Sequence, residues 1–165
     1  MLKSYKEVAN AFENAHLFRC VYSRERLQGK GIYDKQYPIL NFIYNNSGCT
    51  QIEIAKALFI SPASVAISTR RLMKGGLITK RIHENSLRTN RVFLTEKGES
   101  VVKECRVCMQ ETDNQMFKDF SDDEIETLKG YLKRMVSNLA GEEDGNLNAL
   151  SRAAFKNRMR SEERG

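Results

Sequence analysis

The chain has 165 residues, of which 41% are hydrophobic and 29% charged, and its net charge is +6. This composition is typical of one globular domain with a buried core. No apolar run approaches the roughly 20 residues that cross a bilayer, and charges interrupt the apolar positions near the N-terminus as they do not in a secretory signal. We therefore expect a cytoplasmic protein with no membrane partner.

Residues 1–46 are predicted to form supporting and dimerising helices. Apolar side chains recur at helical spacing over residues 4–28, and the glycines of GKG at 29–31 end that helix. The members of this apolar face are Val8, Phe12, Ala15 and Tyr22. Asp34 can cap a second helix with Pro38 in its first turn, before NNSG breaks the chain.

Residues 47–98 predict two short helices followed by a β-hairpin. Thr50 opens TQIEIAKAL with the spacing of a capping box. Ser61 caps the next helix, which has Pro62 at its first position and ends at a Gly-Gly pair. The runs LITKRIH and RVFLT favour strands and flank ENSLRTN, which predicts a hairpin with a long exposed tip. This order of elements is a winged helix-turn-helix.

Residues 99–140 predict two more helices, capped by Thr95 and Ser121. The last helix carries an apolar stripe with a spacing typical of helix pairing, formed by Ile125, Leu128, Leu132, Met135 and Leu139. We predict a dimerisation surface there, although such a stripe also packs within single chains. Residues 141–165 form a charged tail that we expect to be mobile. The fold class is mostly α with a small β-hairpin wing (α+β), a winged helix-turn-helix region joined to a helical dimerisation region.

The helix that begins at Pro62 has two different faces. Val65, Thr69 and Leu72 fall together on a helical wheel and are predicted to face the core. The remaining surface consists of Ser61, Pro62, Ala63, Ser64, Ala66, Ile67, Arg70, Arg71 and Lys74. Small residues allow close approach to a groove, alanine or isoleucine contacts thymine methyl groups, and arginine reaches guanine or phosphate. The serines at the helix N-terminus favour phosphate. We predict that this helix enters the major groove of double-stranded DNA.

The charge distribution points to the same segment. Residues 47–98 hold nine basic and three acidic side chains, which is the whole net charge of the protein. A concentrated positive field is typical of nucleic-acid binding, although a solvated basic surface gives the same count. The hairpin adds candidate DNA-binding residues for the backbone and the minor groove: Lys80, Arg81, His83, Arg88 and Arg91.

These residues resemble the winged helix of the MarR family of bacterial transcriptional regulators. That family reads T-x-x-E-L-A, S-P-x-x-V, R-L-x-x-x-G-L-I, D-x-R at the wing tip, and L-T-x-x-G. The matching residues are Thr50 with Ile54-Ala55, Ser61-Pro62 with Val65, Arg71-Leu72 with Gly76-Leu77-Ile78, and Leu94-Thr95 with Gly98. Arg88 corresponds to the wing-tip arginine, but Ser86 replaces the acid of D-x-R. The resemblance covers residues 4–140.

The resemblance implies a homodimer that binds a near-palindromic operator, usually as a repressor. It also implies that a small aromatic or lipophilic effector releases the DNA. Side chains that can contribute to an effector pocket are Phe12, His16, Arg19, Tyr22, Tyr37 and Phe42, although core packing is the better explanation for most of them. Some relatives sense oxidants through a first-helix cysteine, and Cys20 lies on that helix at a different position.

Two other functions remain open from the residues alone. A winged helix can serve protein–protein contact, and Cys105 with Cys108 can form a redox, zinc or catalytic pair. Cys105-x-x-Cys108 lies inside a helical pattern rather than after a strand, and the two histidines, His16 and His83, are distant in sequence. We therefore expect no metal, no cofactor and no enzymatic activity.

Overall fold

The computed structural model describes the backbone of residues 2–83 and 86–140, and the side chains of residues 4–33, 35–81 and 91–139. The predicted tail, 141–165, lies outside them. The described elements in chain order are α1 Leu2–Leu27, a 3₁₀ turn Asp34–Gln36, α2 Tyr37–Asn45, β1 Cys49–Thr50, α3 Gln51–Leu58, α4 Pro62–Lys74, β2 Ile78–His83, β3 Ser86–Leu94, α5 Glu96–Met116 and α6 Asp122–Ala140. The predicted fold class, mostly α with a small antiparallel sheet, is confirmed.

The core joins α2, α3 and α4 to the sheet and to the first turns of α5. Its fully buried side chains are Ile39, Leu40, Ile43, Ile54, Val65, Leu72, Val92 and Val102. Each helix contributes one apolar stripe, because residues three and four apart share a face. On α5 the buried positions are Gly98, Val102, Cys105 and Thr112, while Val101 is half-buried.

The sheet has three antiparallel strands in the order β1-β3-β2. The predicted hairpin is present, but the prediction of a long tip is wrong, because β3 already begins at Ser86. A register irregularity separates Ile82, opposite Asn90, from His83, opposite Ser86. The third strand, β1, was not predicted, since two residues carry no periodic signal. It joins through Cys49 opposite Val92.

The start of α2 also differs from the prediction. Asp34 does not cap the helix but opens the 3₁₀ turn, and α2 begins at Tyr37 with Pro38 in its first turn. The side-chain oxygen of Gln36 accepts a hydrogen bond from the Tyr33 N–H at 2.9 Å. The turn is therefore stabilised by the amide side chain at its end.

Two ion pairs join α1 to α5, and a third joins the turn after α1 to α5. Arg19 pairs with Asp113 at 2.8 Å, Arg26 with Glu111 at 2.6 Å, and Lys30 with Glu104 at 3.0 Å. The apolar residues of the N-terminal half of α1 stay outside this contact. Val8 is 59% and Phe12 52% exposed. The apolar face that the sequence predicts on α1 is therefore not covered by the described part of its own chain.

Among the described residues, no single helix is long and apolar enough to span a membrane. By length and composition alone, α3 and α4 would be sufficient together, but the two helices form a sharply bent pair.

Candidate nucleic-acid interface

Helix α4 buries one face and exposes the other. Val65 and Thr69 are fully buried and Leu72 is 1% exposed, as the sequence pattern predicts. The predicted DNA-binding residues occupy the outer surface. Ala66 is half-buried there, and the exposed members are Ser61, Pro62, Ala63, Ser64, Ile67, Arg70, Arg71 and Lys74. The half-exposed Ile67 lies among small and basic side chains, which is the composition expected of a face that enters a groove.

The start of α4 is ordered by its cap. The Ser61 hydroxyl accepts a hydrogen bond from the Ser64 N–H at 3.1 Å, and the two hydroxyl oxygens lie 2.9 Å apart. No acidic residue occurs in the first turn of the helix. The positive end of the helix dipole is therefore not offset by a carboxylate within that turn, which suits a phosphate ligand.

The turn between α3 and α4 sets the angle at which the second helix leaves the first. Phe59 closes α3 in the left-handed conformation at φ 56°, and the Ile60 N–H donates to the Ala55 carbonyl at 3.3 Å. The chain direction changes by 118° between the two helices. This is within the range of the helix-turn-helix motif.

A buried polar contact fixes α3 against α4. The Gln51 side-chain amide donates to the Thr69 hydroxyl, and that hydroxyl donates to the Val65 carbonyl at 2.9 Å. Sequence reasoning placed Thr69 on the core face but assigned it no partner. A buried threonine among apolar positions is the signal that such a contact exists, since buried hydroxyl groups are hydrogen-bonded.

The end of α4 is held by the start of α5. The Thr95 hydroxyl donates to the Gly76 carbonyl at 2.7 Å, and the Lys97 ammonium donates to the Gly75 carbonyl at 2.9 Å. Gly76 has φ +70°, a conformation that favours glycine and that lets the chain leave the helix for β2. Lys97 belongs to the basic segment by sequence, but its described hydrogen bond is to the protein backbone.

Among the described side chains of the wing, Arg81 is the exposed cation. Arg81 is exposed on β2, and its guanidinium lies over the Phe93 ring at 5.1 Å from the ring centroid. Lys80 is half-buried on the opposite face of the strand. The side chains of His83 and Arg88 lie outside the described set, so their DNA-binding roles remain predictions.

Arg91 lies at the base of the wing. It is half-buried, and one of its guanidinium N–H groups donates to the Gly48 carbonyl at 2.7 Å. Its positive charge also contributes to lowering the pKa of the Glu53 carboxyl, after the larger effect of hydrogen bonds from Thr50. Its described hydrogen bond joins the hairpin to the residue before β1, and a DNA contact by Arg91 remains a prediction.

The candidate effector residues are not brought together at one site. Arg19 and Tyr22 line a cavity of about 440 Å³ between α1 and α5, together with Ala15, Phe18, Val21, Glu25, Thr112, Gln115 and Met116. Phe12, His16, Tyr37 and Phe42 do not line it, and Phe42 packs against the core. Burial raises the pKa of the Tyr37 hydroxyl. The Arg19 guanidinium in the cavity donates to the Asp113 carboxylate at 2.8 and 3.0 Å.

The apolar stripe of α6 is incompletely covered. Ile125, Leu128 and Leu132 are half-buried, while Met135 is 40% and Leu139 77% exposed. No side chain from Asp122 to Leu139 is fully buried. The helix is well formed nonetheless, with Ser121 and Glu124 in a capping box at its start. The described part of this chain therefore leaves the stripe available to another surface.

The four cysteines are free thiols in the described structure, with Cys49 and Cys105 buried and Cys20 and Cys108 half-buried. Burial raises the pKa of Cys105 to about 11 and that of Cys49 to about 11, which opposes the low-pKa thiol that a nucleophilic cysteine needs. The Cys20 sulfur lies 3.7 Å from the His16 Nε2 on the surface of α1. Within the described residues, no group of three or more His, Cys, Asp and Glu side chains is placed to hold a metal ion.

The bent helix pair, its exposed basic helix and the adjoining three-stranded sheet define a winged helix-turn-helix protein. Residues 30–88 match the model of the MarR family. The HTH-type transcriptional regulator BilQ of Clostridium symbiosum is 26% identical over 115 residues, which cover 70% of this chain and 80% of BilQ. These matches, with those to solved structures, confirm the predicted resemblance to the MarR family.

Two solved structures illustrate the shared fold. A mutant MarR from E. coli complexed with operator DNA matches with a TM-score of 0.72 at 20% identity, covering 82% of this chain and 98% of that one. BpsR of Bordetella bronchiseptica, whose DNA binding is regulated by 6-hydroxynicotinic acid, matches with a TM-score of 0.68 at 19% identity, covering 78% of this chain and 98% of BpsR.

Proposed function

We propose that this protein is a sequence-specific DNA-binding transcriptional regulator that inserts α4 into the major groove. The observation that carries the proposal is the outer face of α4, where Ile67 and small residues lie between a capped N-terminus and the basic side chains of the last turns. A helix adapted only to solvent has no need of an isoleucine that is 50% exposed at the centre of its outer face. The match to BilQ and the fold shared with an operator complex support the same function.

Base reading and backbone contact are assigned to different parts of α4. The capped first turn, with Ser61 and Ser64, approaches a phosphate. Ile67 contacts a thymine methyl, and Arg70 reaches a guanine edge from the next turn. Arg71 and Lys74 lie at the last turn and bind the backbone of the neighbouring strand. Sequence preference therefore depends on Arg70 and Ile67 more than on the other basic residues.

The Arg70→Ala variant tests this assignment. We expect it to lose about 1–3 kcal/mol of specific binding free energy and to discriminate less between bases, because a bidentate contact to guanine is removed. The measurement is a fluorescence-anisotropy titration against duplexes from the upstream region of its own gene and a shuffled duplex, at several salt concentrations.

Lys103→Ala is the matched control, because Lys103 is an exposed cation on α5, outside the winged helix. It removes the same charge and should leave base preference unchanged. Equal behaviour of the two variants would remove Arg70 from the reading face. No binding by the wild-type protein at low salt would contradict DNA recognition and would favour a protein–protein role for the winged helix.

The regulator acts as a homodimer in this proposal. The partly covered stripe of α6 and the exposed apolar residues of α1 provide two surfaces that a second copy can cover. A two-fold dimer presents its two recognition helices about 34 Å apart, one turn of DNA, and therefore reads a near-palindromic operator. Repression follows where such an operator overlaps a promoter.

A small aromatic or lipophilic effector is the proposed signal. The cavity between α1 and α5 supports this, because apolar side chains line it and Arg19 and Tyr22 add polar groups. The regulation of BpsR by 6-hydroxynicotinic acid gives one example in a protein of the same fold. Titration of 6-hydroxynicotinic and other aromatic acids into the protein–operator complex tests the idea, with loss of anisotropy as the expected result. An effect unchanged in Arg19→Ala would place the effector elsewhere.

A further inference from the structure

Two arginines lie directly opposite each other on the hairpin. Arg81 on β2 pairs with Arg91 on β3, so both side chains project from the same face of the sheet. Like charges in this position repel each other. The described contacts separate them, because Arg91 donates to the Gly48 carbonyl while Arg81 lies over the Phe93 ring.

The Phe93 ring lies between Gly48 and Arg81. A Cβ atom at Gly48 would be 3.1 and 3.2 Å from two ring carbons of Phe93, so the ring packs closely on the glycine backbone. The Arg81 guanidinium carbon lies 5.1 Å from the centroid of the ring, within the range of a cation–π contact. Gly48 adopts φ +78° and donates its N–H to the Val92 carbonyl at 3.0 Å. This hydrogen bond holds the Gly48 backbone on β3, beside the Phe93 ring.

We propose that Phe93 is a positioning residue that holds Arg81 in place for a DNA phosphate. This role rests on the proposed function, since it presupposes that the wing faces DNA. An exposed arginine loses rotamer freedom when it binds, and a side chain that is ordered beforehand loses less. The ring supplies this order without neutralising the charge, whereas the contacts of Arg91 use its guanidinium inside the protein. Arg81 is therefore the described wing cation that remains available to a phosphate.

The test is a double-mutant cycle with Phe93→Leu, Arg81→Ala and the double variant. Arg81→Ala should weaken binding to the operator and to the shuffled duplex alike, and it should reduce the salt slope by about 0.9 per wing, or about 1.8 for the proposed dimer. Phe93→Leu should weaken both duplexes by about three-fold per wing, the size of an exposed cation–π contact. In the Arg81→Ala background, Phe93→Leu should change the affinity by less than about two-fold, which is within the error of additivity.

Leu94→Val is the matched control, because Leu94 is a half-buried neighbour that faces the core from the other side of β3. It should lower thermal stability without changing DNA affinity. If circular dichroism shows that Phe93→Leu does not fold, the cycle is repeated with Phe93→Ile, because isoleucine is favoured in strands.

The possible outcomes separate this role from the proposed function. Absence of DNA binding by the wild-type protein overturns the proposed function and the phosphate contact with it. Binding by the wild type that Phe93→Leu leaves unchanged overturns the positioning role alone. Equal losses on Phe93→Leu with and without Arg81 also overturn it, because the ring would then act through the general structure of the wing.

Discussion

Gly98 lies where the first turn of α5 meets the beginning of β2. A Cβ atom at this position would be 1.9 Å from the Leu77 carbonyl oxygen and 2.9 Å from its carbon. The Thr95 N–H donates to the same oxygen at 3.1 Å. Because the obstacle is backbone that is already hydrogen-bonded, it cannot move aside as a flexible side chain would. The close contact between helix and strand therefore requires glycine.

We expect Gly98→Ala to lower the free energy of unfolding by about 1–3 kcal/mol, the usual cost of overpacking. Gly130→Ala is the control, because Gly130 is helical and its Cβ would meet nothing within 4 Å. That substitution should raise stability by about 0.8–1 kcal/mol through helix propensity. Urea unfolding of both variants measures the difference. A Gly98→Ala variant as stable as the wild type would show that α5 and β2 separate easily.

The sequence identified Gly98 only through its resemblance to a family motif. No local pattern predicts that a helix will approach a carbonyl group of a strand 21 residues earlier in the chain. The same reason explains why Gln51, Phe93 and the roles of Arg91 and Lys97 were missed. Their partners are set by tertiary packing, whereas the outer face of α4 follows from periodicity within one helix and was predicted.

Among the described α-helices, α3 and α6 begin with a complete capping box. The Glu53 carboxylate accepts from the Thr50 N–H at 2.6 Å, and the Glu124 carboxylate accepts from the Ser121 N–H at 2.9 Å. These backbone hydrogen bonds, followed by those from the threonine and serine hydroxyls, lower the pKa of both carboxyls below the ordinary 4.5. A carboxyl with a lowered pKa in the folded state stabilises the protein above its unfolded pKa. That contribution is lost as the pH falls through the folded value.

The Glu53→Gln variant separates charge from capping, because glutamine still accepts the hydrogen bond. We expect the wild-type protein to lose more unfolding free energy than the variant between about pH 6 and about pH 3. Urea unfolding across this range provides the measurement. Identical losses in the two proteins would mean that the ionised Glu53 does not stabilise the start of α3.

At the scale of elements, prediction succeeded where the signals were local. Ser61, Thr50 and Ser121 each cap the helix that the sequence assigned to them. Prediction from the sequence failed where contact with a neighbouring element determines the local structure. Strand β1 exists because β3 is beside it, and Asp34 opens a 3₁₀ turn that an amide side chain completes. The polar residues from Ser86 onward form strand because β2 supplies partners.

At the scale of the whole molecule, α1 and α6 carry large apolar side chains that the described part of the chain leaves exposed. Tyr5, Val8 and Phe18 are 69%, 59% and 73% exposed, and Leu139 is 77% exposed. Exposed apolar surface can mark an interaction site, and these residues are therefore candidates for the proposed dimer contact. The predicted effector residues do not form one site, because helical spacing shows which side chains share a helix face. It does not show which helix faces meet in the fold.

Leu139→Glu should weaken the proposed dimer without unfolding the protomer, because the side chain is already mostly exposed. The expected result is a shift toward monomer in sedimentation velocity and weaker operator binding, since a monomer contacts one half-site. Asn138→Glu adds the same charge at an exposed neighbouring position, off the stripe, and is the control. A Leu139→Glu protein with the sedimentation behaviour of the control would place the dimer interface elsewhere.

The junction of α5 with the wing also has a mechanical consequence. Thr95, Lys97 and Gly98 fasten the first turn of α5 to the end of α4 and the start of β2. Helix α5 has 21 residues and is therefore a stiff rod of about 30 Å. A tilt of about 6° at its far end moves the fastened end by about 3 Å, close to the rise of one base pair. In the proposed dimer, α5 would therefore act as a lever. A small rotation of α5 near the cavity would shift the winged helix along the operator by about one base-pair step.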